Sequence, residues 1–431
     1  MSLAFGILLA VFVIGALLRV PLAISMLSAG MAYLFASGQD VGLAADQVMN
    51  SMYGSYVMLA IPMFILAANV MNAGTISERL WSAADVVVGR MRGGLGQVTV
   101  LVSTVFSSMS GSAITDAAGP GMVAIKMMRS VGHYKPGYAV AITAAAATIA
   151  PIIPPSIPMV LYALLTGTSV SAMFLGGVVP GLMMALSLMV AIAVMAKREG
   201  LPLGDRLTGA QTWTAIRRGL LPLTLPVVLL GGIWSGVFTP TEAAAVAAFY
   251  ALILAGIVYR ALGWRGLFAV FAESMRQSAV VMILIAGAFV VNYAVTAEQL
   301  ALVLVGWIEA QNLSALQFLL LANLMFLLLG CMLDTGVLLL VVLPTLMPAV
   351  RLLEIDPVHF GVVAIVNFMI GLITPPYGLL LFVLSSLAAV PLKDIFAQVW
   401  KLLIPLLLVL LLLVLFPQLV LWLPRLAGYG G

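Results

Sequence analysis

The chain has 431 residues, 64% of them hydrophobic and only 8% charged, with 19 Lys and Arg against 15 Asp and Glu. A soluble globular protein keeps roughly a quarter of its residues charged so that water can solvate its surface, which excludes a soluble domain here. The excess of base does not imply a nucleic-acid partner: in a chain this apolar, Lys and Arg gather in cytoplasmic loops, and the expected partner is the lipid bilayer.

Taken in order, the apolar run Leu3–Leu18, a tight turn at Arg19 and the run 20–37 read as two spans of an all-α polytopic membrane protein. The first run has no charged lead and no small-residue cleavage site, so it is a retained span and not a signal peptide. Residues 39–54 hold Asp40 and Asp46 and no base; a third span, 56–75, follows. The stretch 76–96, with Arg79, Arg90 and Arg92, is amphipathic and reads as an arm along the interface. Segment 97–128 is apolar but carries Ser110-Gly111-Ser112 at its centre, the mark of a re-entrant helical hairpin. Irregular backbone at membrane depth survives only when buried in protein or lining a wet cavity. Segment 137–165 has Pro154-Pro155 in its middle; proline removes a donor and clashes with the preceding turn, so it should break into two half-helices.

The connector 197–219, with Lys197, Arg198, Arg206, Arg217 and Arg218, reads as solvated, and 220–272 as scaffold helices. From 273 to 431 the order recurs: a scaffold helix, an arm at 297–312, a hairpin at 313–350 turning near Gly330 and Thr335-Gly336, and a helix at 359–388 broken at Pro375-Pro376. An amphipathic stretch 390–401, read as a further interfacial arm, and a last span, 402–421, complete the chain. The organisation is therefore N-terminal scaffold helices at 1–50, a first repeat at 51–196, the connector, scaffold helices, and a second repeat at 273–431.

Residue matches support the repeat. Pro136, Pro154 and Pro155 answer Pro357, Pro375 and Pro376 at a spacing of 221, and Ser51, Met52, Ser55 and Asn69 answer Ser274, Met275, Ser278 and Asn292 at 223. Asp116 and Asp334 fall in comparable places within the hairpins. With each long span crossing once, 17 of the 19 Lys and Arg, Arg276 among them, lie on the cytoplasmic side; Arg351 and Arg425 lie outside, and both termini are periplasmic. The first arm is rich in Arg and the second has Glu298 and Glu309 and no base, so the two copies face opposite ways.

Each break should free carbonyl oxygens, around Thr148–Ile153 and Ile370–Thr374, and turn the positive end of a second half-helix, from Ser156 or Tyr377, towards mid-membrane. Carbonyls there suit a small hard cation such as sodium, and the helix ends suit an anion. Ser110, Asp116, Ser156, Asp334 and Thr335 are the candidate substrate-binding residues. Asp116 and Asp334, the acids placed inside the spans, have a second reading as caps of the second hairpin arms. No Arg is placed inside a span, so nothing reads as a carboxylate clamp. The prolines also read as plain kinks and the 25 Met as packing. Lone Cys331 and the interfacial His133 and His359 offer neither a metal cluster nor the base that an intramembrane hydrolase would need, and no enzyme or cofactor is expected. A channel does not account for paired closed hairpins.

The stretches GSAITDAAGPGMVAIKMM, ATIAPIIPPS and GLITPPYG resemble the large membrane subunit of TRAP (tripartite ATP-independent periplasmic) transporters, and the likeness runs over nearly the whole chain. The resemblance implies an elevator-type fold of the bacterial inner membrane in which sodium drives uptake of a small organic anion. It implies two separate partners, a periplasmic substrate-binding protein and a small four-helix membrane subunit. It places one sodium site at Ser108, Ser112, Ala150, Ile153 and Pro155, and another at Gly330, Gly371, Thr374 and Tyr377. Ala150 stands where glycine is usual in that family. A stand-alone sodium-coupled carboxylate symporter is the alternative.

Overall fold

The computed structural model describes residues 2–74, 76–201, 203 and 208–430. Arg206, counted among the connector's bases, lies outside the described residues. Seven described helices are long and apolar enough to cross a bilayer: Tyr56–Ala73, Val170–Glu199, Gly209–Trp234, Pro240–Val258, Trp264–Ala297, Thr335–Leu352 and Leu392–Leu415. Shorter apolar helices lie between them, including Leu3–Leu17 and Leu22–Ala36, which join at Arg19 with φ +60°. The chain is a multi-pass membrane protein whose regular elements, among the described residues, are all helical.

Local chemistry sets the helix limits. Val170–Glu199 starts where the Ser169 hydroxyl accepts from the Ala172 N–H and stops at Gly200, whose φ is +65°. Capping boxes open three helices: Thr208 with Gln211, Thr239 with Glu242, and Ser314 with Gln317.

Three expected boundaries move. Residues 209–219, read as solvated connector, are the first turns of Gly209–Trp234, because the Thr208 box nucleates a helix there. The stretch 390–401 is not a separate arm; it is the start of Leu392–Leu415, which runs through Pro405 and ends at Phe416 before the short helix Gln418–Leu426. The helix expected to begin the second repeat at 273 starts instead at Trp264 and runs unbroken to Ala297. Glu273 supports it by accepting from Arg276 and Gln277, one turn on. The matching region of the first repeat is interrupted at Gly54, between Leu43–Tyr53 and Tyr56–Ala73.

Two helix–turn–helix units follow one plan. The first has arms Gly94–Ser110 and Ala113–Ser130, turning at Gly111 with φ +60°. The second has arms Ala315–Gly330 and Thr335–Leu352. Each second arm passes through a π-helical segment, Ala117–Gly121 and Leu338–Val342. Each unit precedes a broken helix: Pro136–Ala147 then Ile157–Thr166, and Pro357–Gly371 then Leu379–Ala388.

These first half-helices form the centre of the molecule, with all of Gly137–Ala147 and Val358–Gly371 buried. Two polar groups there are bonded across elements: the Asn367 amide donates to the Asn323 backbone and side-chain oxygens at 2.8 and 2.9 Å, and the Tyr162 hydroxyl donates to the Pro357 carbonyl at 2.6 Å. Trp264–Ala297 packs on the other side against Leu22–Ala36 and Ala60–Ala73. Asn69 bridges that contact, donating to Ser274 and Gln277 at 3.0 Å each.

Candidate functional site

The first hairpin tip rests on the first break. A Cβ at Gly111 would lie 2.6 Å from the Pro155 carbonyl oxygen, so only glycine, which also tolerates the positive φ, permits this approach. Ser112 caps the second arm, its hydroxyl oxygen accepting from the Thr115 N–H at 3.4 Å. Ser108 is buried and donates to the Val105 carbonyl, while the buried Ser110 hydroxyl has no partner. Among the described residues, the carbonyls of Thr148, Ala150, Ile153 and Pro155 accept no hydrogen bond. Ser156 is fully engaged locally: it donates to the Pro151 carbonyl and accepts from the Met159 N–H, capping Ile157–Thr166.

The second tip also meets the second break at backbone contact. A Cβ at Gly371 would sit 2.8–2.9 Å from the backbone of Gly330, and the Gly378 N–H donates to the Cys331 carbonyl at 3.4 Å. Thr374 donates its hydroxyl to the Ile370 carbonyl at 2.7 Å, occupying one of the oxygens expected to be free. The carbonyls of Ile373 and Thr374 accept none among the described residues. The second half-helix starts at Leu379 behind Gly378, whose φ is +55°, and not at Tyr377; a glycine takes that left-handed position without strain. Tyr377 is 52% exposed, its ring 5.1 Å from that of Phe382. The first break is buried throughout, whereas the second is open at Pro376 and Tyr377.

Asp116 and Asp334 do not occupy equivalent positions. Asp334 caps its arm, one carboxylate oxygen accepting from the Gly336 N–H at 2.8 Å; its counterpart in the first hairpin is Ser112. Asp116 sits one turn beyond that cap, fully buried; Ser103 faces it, yet neither carboxylate oxygen completes a hydrogen bond. Losing a cap costs about 1 kcal/mol, so Asp334→Ala is expected to lower thermal stability in detergent. Asp116→Asn removes a buried carboxyl group whose oxygens have no partner and is expected to leave the melting temperature unchanged or higher.

A cavity of about 350 Å³ opens beside the first tip. Ser110, Ser112 and Thr115 of the hairpin line one side, with Ile157 at the start of the half-helix; Arg276 and Gln277 of Trp264–Ala297 line the other. Asp116, Ser156, Asp334 and Thr335 are not among its lining residues. Arg276 is thus the residue that sequence reasoning missed. The sequence places it among the cytoplasmic bases at the start of a helix beginning at 273; that helix begins at Trp264, so Arg276 lies in its interior, and its guanidinium is held by Glu273 at 3.0 and 2.9 Å. The signal was available: Glu273, Arg276 and Gln277 at i, i+3 and i+4 with no breaker before Val280.

Residues 5–419 match the family described as Tripartite ATP-independent periplasmic transporter, DctM component. The chain belongs to that family. This DctM-family chain is 39% identical over 412 residues to the sialic acid TRAP transporter large permease protein SiaM of Vibrio cholerae, covering 95% of this chain and 96% of SiaM. It is 38% identical over 381 residues to the 2,3-diketo-L-gulonate TRAP transporter large permease protein YiaN of Escherichia coli, covering 88% and 89%. Its fold is similar to that of the Alcanivorax borkumensis YdaH transporter, with a TM-score of 0.58 at 16% identity over 89% of each chain. A DctM component is a transporter permease and not an enzyme.

Proposed function

We propose that this chain carries a small organic anion of the carboxylate class across the bacterial inner membrane, driven by sodium. Its partners in that reading are a small four-helix membrane subunit and a periplasmic substrate-binding protein. The coupling ions are cargo, and no resident cofactor is needed. The observation that carries the reading is the cavity that Arg276 lines together with Ser110, Ser112 and Thr115 of the first hairpin. A planar guanidinium matches a carboxylate with two parallel hydrogen bonds, and hydroxyls supply the remaining donors. The acids in the names of SiaM and YiaN point to the same class.

The two tip–break junctions are the proposed cation sites. Ser108 and Ser112 with the carbonyls of Ala150, Ile153 and Pro155 form one; Gly330, Gly371, Thr374 and Tyr377 form the other, Tyr377 through its backbone. Both offer oxygen donors alone, the set a small hard cation prefers. Sodium bound there fixes each tip against its break and so shapes the wall that the anion meets, coupling the two ligands energetically.

The paired hairpins, π segments and broken helices support an inverted-topology repeat, 51–196 and 273–431, flanked by scaffold helices at 1–50 and 220–272. Hairpins and broken helices move as one block, elevator fashion, past the scaffold that includes Trp264–Ala297. Ser110 and Ser112 travel with the block while Arg276 stays, so the cavity between them opens and closes with the stroke. The basic loops face the cytoplasm and both termini the periplasm.

The test is uptake of sialic acid or 2,3-diketo-L-gulonate into proteoliposomes under an inward sodium gradient, with and without the two partners. Uptake that needs sodium and both partners is the expected result. Uptake by this chain alone would make it a stand-alone symporter, and uptake indifferent to sodium would refute the coupling.

A further inference from the structure

We infer that the cleft between the arm helix Ile76–Val88 and the start of Gly209–Trp234 binds the phosphate of an anionic lipid headgroup, an inference that takes from the carrier reading only that this end faces the cytoplasm. The two helices are in tight contact: a Cβ at Gly219 would lie 2.4 Å from that of Ala83. Beside this contact opens a cleft of about 380 Å³ lined by Arg79, Arg217, Arg218, Trp213 and Tyr259.

Three guanidinium groups share this space, and among the described residues none of them is paired with a carboxylate. Arg79 is fixed in place, its guanidinium 3.9 Å from the centroid of the Tyr259 ring, and its buried Nε–H has no acceptor. A buried donor without a partner is costly, and an anionic oxygen in the cleft satisfies it. No acid among the described residues lines this cleft, although Glu78 and Asp85 lie on the same arm helix, and clustered bases on the cytoplasmic side of a membrane helix are the chemistry that selects anionic lipids, at about 1 kcal/mol per base.

Free phosphate shares that chemistry, but the surface next to the cleft favours a lipid. Leu221 and Val228 lie one and three turns beyond Arg217 on the same helix face and stay partly exposed, at 37% and 38%. Trp213, 68% exposed, stands at the mouth as an interfacial aromatic does. A headgroup on the arginines therefore has an apolar path for its acyl chains. Bound there, the lipid ties the arm to the scaffold helix.

Native mass spectrometry of the full chain, alone and with the small subunit, decides the matter. Phosphatidylglycerol should be retained in preference to phosphatidylcholine, and R217Q/R218Q should lower its apparent affinity about tenfold or more. Both arginines are exposed, so the variant should melt with the wild type in phosphatidylcholine; the charge-retaining R217K/R218K should keep most of the binding. Equal retention of the two lipids, or no effect of R217Q/R218Q, overturns the inference. Displacement of phosphatidylglycerol by millimolar inorganic phosphate reassigns the cleft to a free anion. Loss of binding once the small subunit is present reassigns it to a protein contact. A chain that transports without lipid preference refutes this inference alone; one that keeps the lipid but does not transport refutes the carrier reading alone.

Discussion

Gly371→Ala is expected to raise the sodium concentration needed for half-maximal uptake about tenfold, with helical content and membrane insertion unchanged. The added Cβ would meet the Gly330 carbonyl carbon, Cα and oxygen at 2.8, 2.9 and 2.9 Å. These are backbone atoms and cannot rotate away, so the second hairpin tip must lift from the second break. Overpacking of this kind costs about 1–3 kcal/mol, and here the cost falls on the junction proposed to hold a cation. Gly330→Ala is the internal control. Its Cβ would meet Gly371 Cα at 3.5 Å, ordinary van der Waals contact, so sodium dependence should stay near that of the wild type. A sodium titration of uptake for both variants, with melting curves alongside, distinguishes a displaced tip from general misfolding. Equal loss in the two would count against the asymmetric contact.

Arg276→Gln is expected to raise KM for the anion by roughly tenfold to a hundredfold, the loss of one charge-assisted interaction of about 1.5–3 kcal/mol. Folding should be spared, because the side chain is 75% exposed and its only ion pair among the described residues is with Glu273. Arg276→Lys keeps the charge but loses the planar fork, and should fall between. Glu273 competes with substrate for the same guanidinium. An exposed pair of this kind contributes only about 0.2–1 kcal/mol, so an incoming carboxylate displaces it at small cost. Glu273→Gln should accordingly lower KM by a few-fold. Initial-rate kinetics in proteoliposomes read all three, and a KM unchanged in Arg276→Gln would remove the residue from the site.

Much of this arrangement is legible in the sequence because it is written in residues with strong backbone consequences. Pro154-Pro155 and Pro375-Pro376 locate both breaks, and Ser110-Gly111-Ser112 locates the first tip to the residue. Charge was less reliable as a guide. Arg276 fits the positive-inside bias as a cytoplasmic base, yet charge alone does not put it on the cavity wall, where it is bonded one turn back to Glu273 within a continuing helix. Asp116 and Asp334 looked like repeat mates because both are rare acids in hairpins. Cap geometry separates them: the N-cap of the second arm is Ser112 in one copy and Asp334 in the other. What the sequence could not disclose is contact across distance, above all the approach of Gly371 to Gly330 and the engagement of Thr374 with the Ile370 carbonyl.

The central claim is that cations fasten the hairpin tips to the breaks, and amide hydrogen exchange of the purified chain in lipid nanodiscs tests it most directly. The amides of Cys331, Met332, Leu333, Thr374, Tyr377 and Gly378 report on the second junction; all but that of Tyr377 donate to nearby carbonyls, so local opening of this partly exposed region sets their exchange. Replacing potassium by sodium at constant ionic strength should slow exchange at these positions and leave Leu22–Ala36 unchanged. Identical exchange at Cys331–Leu333 and Thr374–Gly378 in the two salts would contradict the account.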